Sequence, residues 1–317
     1  MPTIEANQLT WTNYAWSERG DEWSHAWGGT EFLWWGTLFP RIQSFIPTGT
    51  ILEIAPGFGR CTQYLKDFGA NLIVVDLTER CIQACQDRFA TYSHLSYYVN
   101  DGKSLEMIPD HSIDLVFSFD SLVHAEADVM EAYLQQLACK LKPDGVGFIH
   151  HSNMGQFVDS VTGSLPFENT HWRAESMTAQ LFEQYCDAAG LQCINQELVN
   201  WGCDNLIDCL SIFTLRNSSL ARPNKIVENN EFMREAAYFS FLSSMYHPMH
   251  FSGLHRKHQV EPVPSAQSVM ISQPEVDRSL LIKKALHTFQ QAGTKQLLIE
   301  ILRYILWSLD GRPKTVR

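Results

Sequence analysis

The amino-acid sequence predicts an α/β protein built on a doubly wound, mostly parallel sheet of seven strands, with an aromatic helical lid before it and a mainly helical extension after it. Short apolar runs alternate with helix-periodic segments from residue 50 onward. A loop with two glycines follows the first apolar run, and an aspartate closes or follows each of the next two. At 317 residues, 45% hydrophobic and 19% charged, the chain has a globular composition and exceeds one minimal core.

In chain order, residues 1–44 are rich in aromatics: Trp11, Tyr14, Trp16, Trp23, Trp27, Trp34 and Trp35 are interrupted by Glu18, Arg19, Asp21, Glu22 and the Gly28-Gly29 pair. That density reads as a covering segment, although any one of these rings fits a helix-to-sheet seam equally well. Residues 50–55 read as a strand, 61–68 as a helix, and 71–75 as a strand ending in Asp76. A helix over 79–90, strands over 95–99 and 113–119, and a helix over 127–141 continue the alternation. The turn Pro143-Asp144-Gly145 then leads into a strand over 146–150. Five strands separated by helices imply right-handed parallel crossovers. A helix over 178–189, stopped by Gly190, precedes strand-like runs over 191–199 and 206–215 that suit a closing hairpin. Past Arg216 the chain turns polar and then helical, which places a boundary near Ser218 and divides it into a lid (1–44), a central domain (45–217) and an extension (218–317).

Composition narrows the function. No run approaches the ~20 apolar residues of a membrane span, and Glu5 and Asn7 stand where a signal peptide needs a basic end and an apolar stretch, so a cytoplasmic protein is expected. Eight cysteines (Cys61, Cys81, Cys85, Cys139, Cys186, Cys193, Cys203, Cys209) include no CxxC pair and read as reduced thiols. A net charge of −11 disfavours a nucleic-acid partner, which needs a basic face.

Ligands of open α/β sheets bind at the carboxyl ends of the strands. After the first strand comes Glu53-Ile54-Ala55-Pro56-Gly57-Phe58-Gly59-Arg60, whose glycines allow a tight turn and a close ligand approach. The dinucleotide fingerprint wants a third glycine where this chain has Thr62, which disfavours a nicotinamide or flavin enzyme. The acidic Glu53 inside the strand suits a cofactor that presents an ammonium and a sulfonium. Asp76 stands where a carboxylate can accept from both ribose hydroxyls, and Asn100-Asp101-Gly102 where one can accept from an adenine amino group.

Residues 51–65, Val74-Val75-Asp76, Asn100-Asp101-Gly102, residues 113–124 and Leu141-Lys142-Pro143-Asp144-Gly145 together resemble the ordered motifs of class I S-adenosylmethionine-dependent methyltransferases, over roughly residues 45–215. The resemblance implies a Rossmann-like sheet with S-adenosyl-L-methionine as cofactor. It implies that Glu53, Gly57 and Gly59 line the methionine end, that Asp76 holds the ribose, that Asp101 with Gly102 holds the adenine, and that Asp120 faces the cofactor. Ala55, Arg60, Leu77 and, from the lid, Trp27 complete the expected cofactor contacts. Residues 16–35, Asn200-Trp201-Gly202 and Asp208-Cys209 more narrowly resemble methyltransferases of bacterial glycan and natural-product pathways.

For the acceptor, His124 is the first expected base, His151 the second, and Asp120 their partner. His150 and His151 are adjacent on a strand and point to opposite faces, so at most one reaches the site. The expected reaction is O-methylation of a small-molecule or glycan hydroxyl with His-assisted deprotonation. Alternatives are N-methylation of an amine or amino-acid-derived metabolite, and cofactor binding without catalysis. No metal is expected; the competing arrangement gathers Asp120, His124 and His151 around a divalent ion. Phe157, Phe167, His171, Trp172 and Arg173 are expected around the acceptor pocket. His247, His250, His255 and His258 read as a solvated loop, and the amphipathic segments 280–289 and 297–309 as a cap or homodimer contact.

Overall fold

The structure is a computed structural model and describes residues 3–246. The chain opens with α1 (Ile4–Asn13), capped by the Thr3 hydroxyl, and a 3-10 segment, Asp21–Trp27. Next come α2 (Thr30–Phe32), a wider-wound stretch Leu33–Leu38, and α3 (Phe39–Ile42). The central alternation is β1 (Thr48–Ile54), α4 (Thr62–Leu65), β2 (Gly69–Asp76), α5 (Glu79–Arg88), β3 (Leu95–Val99), β4 (Ile113–Ser118), α6 (Ala127–Lys140) and β5 (Leu141–Ser152). It continues with α7 (Ala179–Ala189), β6 (Leu191–Val199), β7 (Asp208–Leu215), β8 (Lys225–Asn229) and α8 (Phe232–Tyr246).

These strands form one sheet in the order β3-β2-β1-β4-β5-β7-β6-β8. The first five are parallel to their neighbours, β7 runs antiparallel to both β5 and β6, and β8 lies parallel to β6. The expected doubly wound sheet and closing hairpin are therefore present, but with eight strands where seven were expected. The extra one, β8, comes from beyond Ser218, in the stretch read as a helical extension. Its residues are nearly all exposed, so it lacks the apolar alternation that marks a half-buried strand, and Lys225 and Glu228 keep this edge charged. The helix expected over 61–68 shrinks to the single turn of α4. The Pro143-Asp144-Gly145 turn is absorbed into β5 as an irregularity, where pairing with β4 jumps from Ile113↔Leu141 to Leu115↔Val146.

Helices cover both faces, because a parallel sheet must bury both. One face packs against Trp34, Leu38 and Ile42 of the lid and Phe232 of α8, with Trp34 stacked on Tyr64 at 5.0 Å. The other packs α6 and α7 through Met130, Leu134 and Phe182 against Ile149 and Phe213. Local signals set the helix limits: Thr78 caps α5, Thr178 caps α7, and Gly190 ends α7 at φ 81°. The eight cysteines are free thiols, most of them buried. No helix among the described residues is long and apolar enough to cross a membrane. The histidine cluster from His247 onward and the two late amphipathic segments lie outside the described residues.

The two antiparallel strands leave no room at one glycine. A Cβ on Gly147 of β5 would sit 2.1 Å from the ring of Phe213, its partner on β7. Gly147→Ala is expected to lower the unfolding free energy by about 1–3 kcal/mol, read from the urea midpoint; an unchanged midpoint would contradict this packing.

Candidate active site

The strand order reverses at β1, with β2 on one side and β4 on the other, and the carboxyl ends of these strands open a crevice. The chain leaves β1 through three left-handed residues, Ala55 (φ 58°), Gly57 (φ 58°) and Gly59 (φ 85°). Gly57 leaves its surface open to the ring of Trp16, which stacks on Phe58 with centroids 4.6 Å apart; a Cβ there would collide with the indole at 2.6 Å. The loop after β4 is tied to the loop after β1, since Ser121 Oγ donates to the Ala55 carbonyl at 2.7 Å. Asp120 beside it is also left-handed, at φ 57°.

The crevice is a cavity of about 350 Å³. Glu53, Ala55, Gly57, Arg60, Asp76, Leu77, Gly102, Asp120 and His124 all line it, so nine of the residues singled out in the sequence are gathered there. Ile4, Asn7 and Trp11 of α1 close it on the lid side, and Trp172, Arg173 and Trp201 line the rest.

Two of its carboxylates are poorly partnered. Glu53 is buried and accepts one hydrogen bond, from Thr62 Oγ1 at 2.6 Å; burial outweighs that bond and pushes its pKa up to about 8. The Thr62 that departs from the dinucleotide fingerprint thus serves the acidic residue of β1. Asp76 accepts from the Thr78 backbone and hydroxyl at 2.8 and 3.0 Å and from Gly57 N at 3.3 Å, yet burial still raises it to about 6.

Two others are fully engaged. Asp120 pairs with Arg60 at 3.0 Å and faces Arg173 at 3.6 Å. Asp208 on β7 takes two oxygens' worth of bonds from Arg173, Nε to Oδ1 at 3.0 Å and Nη2 to Oδ2 at 2.7 Å, and one from His150 Nε2 at 3.1 Å. The Asp120 amide donates to His150 Nδ1 at 3.1 Å, which fixes the ring as the Nε2–H tautomer. Burial alone would raise Asp208, but Arg173 and His150 hold it at about 2.

His124 is buried with Nδ1 2.9 Å from the carbonyl of Trp172. A carbonyl only accepts, so Nδ1 carries the hydrogen and Nε2 keeps its lone pair. Burial, and then the charge of Arg173, lower its pKa to about 4, so the ring is neutral at ordinary pH.

Four expectations need correction. Trp27 does not line the cavity: it is wholly buried, donates to Thr37 Oγ1 at 2.9 Å and packs on Trp201 and Phe232. Gly59 lies outside it, because its missing side chain makes room for Phe89, 2.5 Å from a Cβ there. Asp101 is exposed and spends Oδ1 on the amides of Lys103 and Ser104 in its own turn; Asn100 and Gly102 line the cavity instead. His151 is on the opposite sheet face, stacked on Phe182 at 4.2 Å and bonded to Ser211 Oγ and the Ser152 carbonyl. With His151 gone, Asp120 and His124 have no third ligand, and among the described residues no group of three metal-binding side chains forms. Sequence reasoning missed Asn7 as a site residue and read Trp11 only as one of the lid aromatics; the placement of α1 brings both to the cavity. It quoted Asp208 without its partner His150, because the pair meets across two strands far apart in sequence.

The donor set fits the cofactor that the resemblance implies. Glu53 and Asp76 are buried carboxylates with acceptor capacity to spare, suited to a cationic methionine end and to vicinal ribose hydroxyls. Leu77, Leu122, Val129 and Gly102 line an apolar part of the cavity suited to a purine.

Residues 51–145 match the family model described as a methyltransferase domain. Phosphoethanolamine N-methyltransferase 1 of Arabidopsis thaliana is 28% identical over 157 residues, covering 48% of this chain and 31% of that protein. Its Triticum aestivum counterpart is 27% identical over 150 residues, covering 46% and 30%. The chain thus spans less than a third of the length of these curated relatives. Among solved structures, an S-adenosylmethionine-dependent methyltransferase from Clostridium acetobutylicum aligns at TM-score 0.46 and 16% identity, over 64% of this chain and 96% of that one. One from Leishmania major aligns at 0.48 and 12%, over 67% and 82%.

With a pKa of about 8, Glu53 is mostly protonated at pH 7 before a cation arrives beside it. Calorimetry with S-adenosylmethionine at pH 7 is therefore expected to show proton release, read as a binding heat that depends on the buffer. Glu53→Gln removes that dependence, and Asp76→Ala weakens affinity about 10- to 100-fold; buffer-independent heat in the native protein would contradict the assignment. Arg173→Ala leaves Asp208 buried without its main partner and is expected to cost about 3–5 kcal/mol in urea unfolding. In the native protein the unfolded chain protonates Asp208 near 3.8 while the folded one resists to about 2, so this stability is present above about pH 4 and drains away as the pH falls toward 2.

Proposed function

We propose that this chain, a class I S-adenosylmethionine-dependent methyltransferase, methylates a hydroxyl group of a small-molecule or glycan acceptor, with His124 as the base. The observation that carries the reading is a neutral imidazole whose Nδ1 is tied to a backbone carbonyl, lining the same cavity as Glu53 and Asp76. The cofactor supplies an electrophilic methyl group on a sulfonium, so what the chain must contribute is position and proton removal.

Glu53 and Asp76 hold the two ends of the cofactor, with Arg60 and Asp120 set between the loops after β1 and β4. His124 accepts the hydroxyl proton at Nε2. Burial and the charge of Arg173 oppose the imidazolium formed there, and the Trp172 carbonyl and the negative charges of Asp120 and Asp208 partly counter them. Asp120 acts through its charge and is held in place by its arginine neighbours. Lid residues Asn7 and Trp11 separate the cavity from solvent, which strengthens these interactions.

A second reading, N-methylation of an amine, is favoured by the names of the relatives and by the indoles of Trp11, Trp23, Trp172 and Trp201 on the cavity, which suit a cationic acceptor. An amine needs no base in the transfer step. His124→Ala is therefore expected to lower kcat about 10²- to 10⁴-fold while leaving cofactor affinity within about twofold. At saturating cofactor the native rate is expected to stay level down to about pH 5, since the base form of His124 is lost only as the pH falls through about 4. Undiminished kcat in the variant, with N-methylated product, would transfer the assignment to the amine reading. Cofactor binding with no transfer to either class would leave a binding protein.

A further inference from the structure

Beside the cofactor cavity lies a second hollow of about 390 Å³ that shares Asn7, Trp11, His124 and Trp172 with it and adds Asn169 and Glu175. Its chemistry is specific. Two indoles supply apolar faces, two amides and an imidazole supply hydrogen-bonding groups, and Glu175 supplies an acceptor. Among the described residues that line it there is no lysine or arginine. The two arginines of the main cavity are already committed, Arg60 to Asp120 and Arg173 to Asp208.

Trp172 is the second observation. The residue is 57% exposed, and its backbone is left-handed at φ 54°, a conformation that is unfavourable for a bulky L-residue. A small built turn holds it there: Asn169 accepts from Arg173 N and donates to the Arg173 carbonyl, both at 2.8 Å, and also donates to Glu175 at 3.0 Å. The same turn aims the Trp172 carbonyl at His124 and the Arg173 guanidinium at Asp208. An indole is thus presented toward solvent by a segment whose backbone also sets the tautomer of the base.

We propose that this hollow is the acceptor subsite and that it takes an uncharged pyranose ring, with an apolar sugar face on Trp172 and Trp11 and its hydroxyls on Asn7 and Glu175. The assignment rests on the hydroxyl-acceptor reading above. It excludes a phosphate monoester such as phosphoethanolamine, because Glu175 repels the phosphate and the described residues that line the hollow include no lysine or arginine to receive it. In the transfer, the sugar oxygen gains the methyl carbon as the carbon–sulfur bond breaks, and the hydroxyl proton passes to His124 Nε2.

The test uses the full chain with three probes: a panel of methyl glycosides of glucose, mannose, galactose and rhamnose, maltotriose as an extended chain, and phosphoethanolamine. Tryptophan fluorescence reads binding without cofactor, and transfer from S-adenosylmethionine reads turnover. At least one glycoside or the trisaccharide is expected to quench fluorescence and to be methylated on oxygen, and which of the two is preferred separates a free sugar from a glycan end. Trp172→Ala is expected to raise the acceptor KM and dissociation constant about 3- to 10-fold with kcat within about twofold, and Trp172→Phe to restore most of the loss. A sugar panel that neither binds nor reacts while the cofactor binds, or methylation of phosphoethanolamine, overturns the subsite. Failure to bind the cofactor, with sugar binding intact, overturns the transferase reading and not the subsite.

Discussion

A carboxylate with no access to solvent, Asp208 on β7, has to find a cation and hydrogen-bond donors inside the protein, and where it finds them organises one side of the crevice. Arg173 reaches it from the loop after β5 and His150 from β5 itself. Through His150 the pair fixes the amide of Asp120 after β4, and through Asp120 it reaches Arg60 after β1. The ends of β1, β4, β5 and β7 and the segment carrying Trp172 are therefore locked together by one buried chain of ion pairs and hydrogen bonds. Removing a single member leaves an unpaired ion in a low-dielectric interior, so the arrangement resists partial loosening.

The contrast with Glu53 and Asp76 is the functional part of this electrostatic pattern. They are buried like Asp208, but neither has a cation in contact among the described residues, and burial displaces both upward in pKa. One set of carboxylates is satisfied by the protein and shapes the frame. The other waits for charge and donors from outside, which is what a site for a cationic cofactor requires.

The lid divides along the same lines. Trp27, Trp34 and Leu38 are sheet core, whereas α1 has no buried residue at all and is held by a few directed contacts. Arg80 donates to the carbonyls of Thr12 and Tyr14 at its end, Asn7 donates to the His124 carbonyl, and Ile4 lies over Gly102. A helix so placed gains little from burial of its own, and its order depends on the rim of the cavity that it covers.

The strand–loop–helix alternation, the glycine turn after β1 and the acidic residues behind β1 and β2 were legible in the sequence because they depend on local periodicity and on backbone conformations few residues tolerate. By itself the sequence determined the sheet and the position of the crevice, its motifs resemble those of methyltransferases, and it pointed to Glu53, Asp76, Asp120 and His124, all of which line that crevice. It was silent on β8, an exposed edge strand with no alternation, and it misplaced Trp27, Gly59, Asp101 and His151. At Trp27, Asp101 and His151 the error turned on which way a side chain faces, and at Gly59 on the Phe89 ring that fills the space a side chain would need. Asp101 and Asn100 are neighbours in the loop after β3, where the turn that Asp101 caps decides which of them lines the cavity; His151 and His150 are neighbours on β5, where the pleat of the strand and the packing of Phe182 decide. Tertiary structure alone brought Asp208 to Arg173 and His150, and α1 to the cavity, because those contacts close loops of tens to more than a hundred residues and leave no trace in any local pattern.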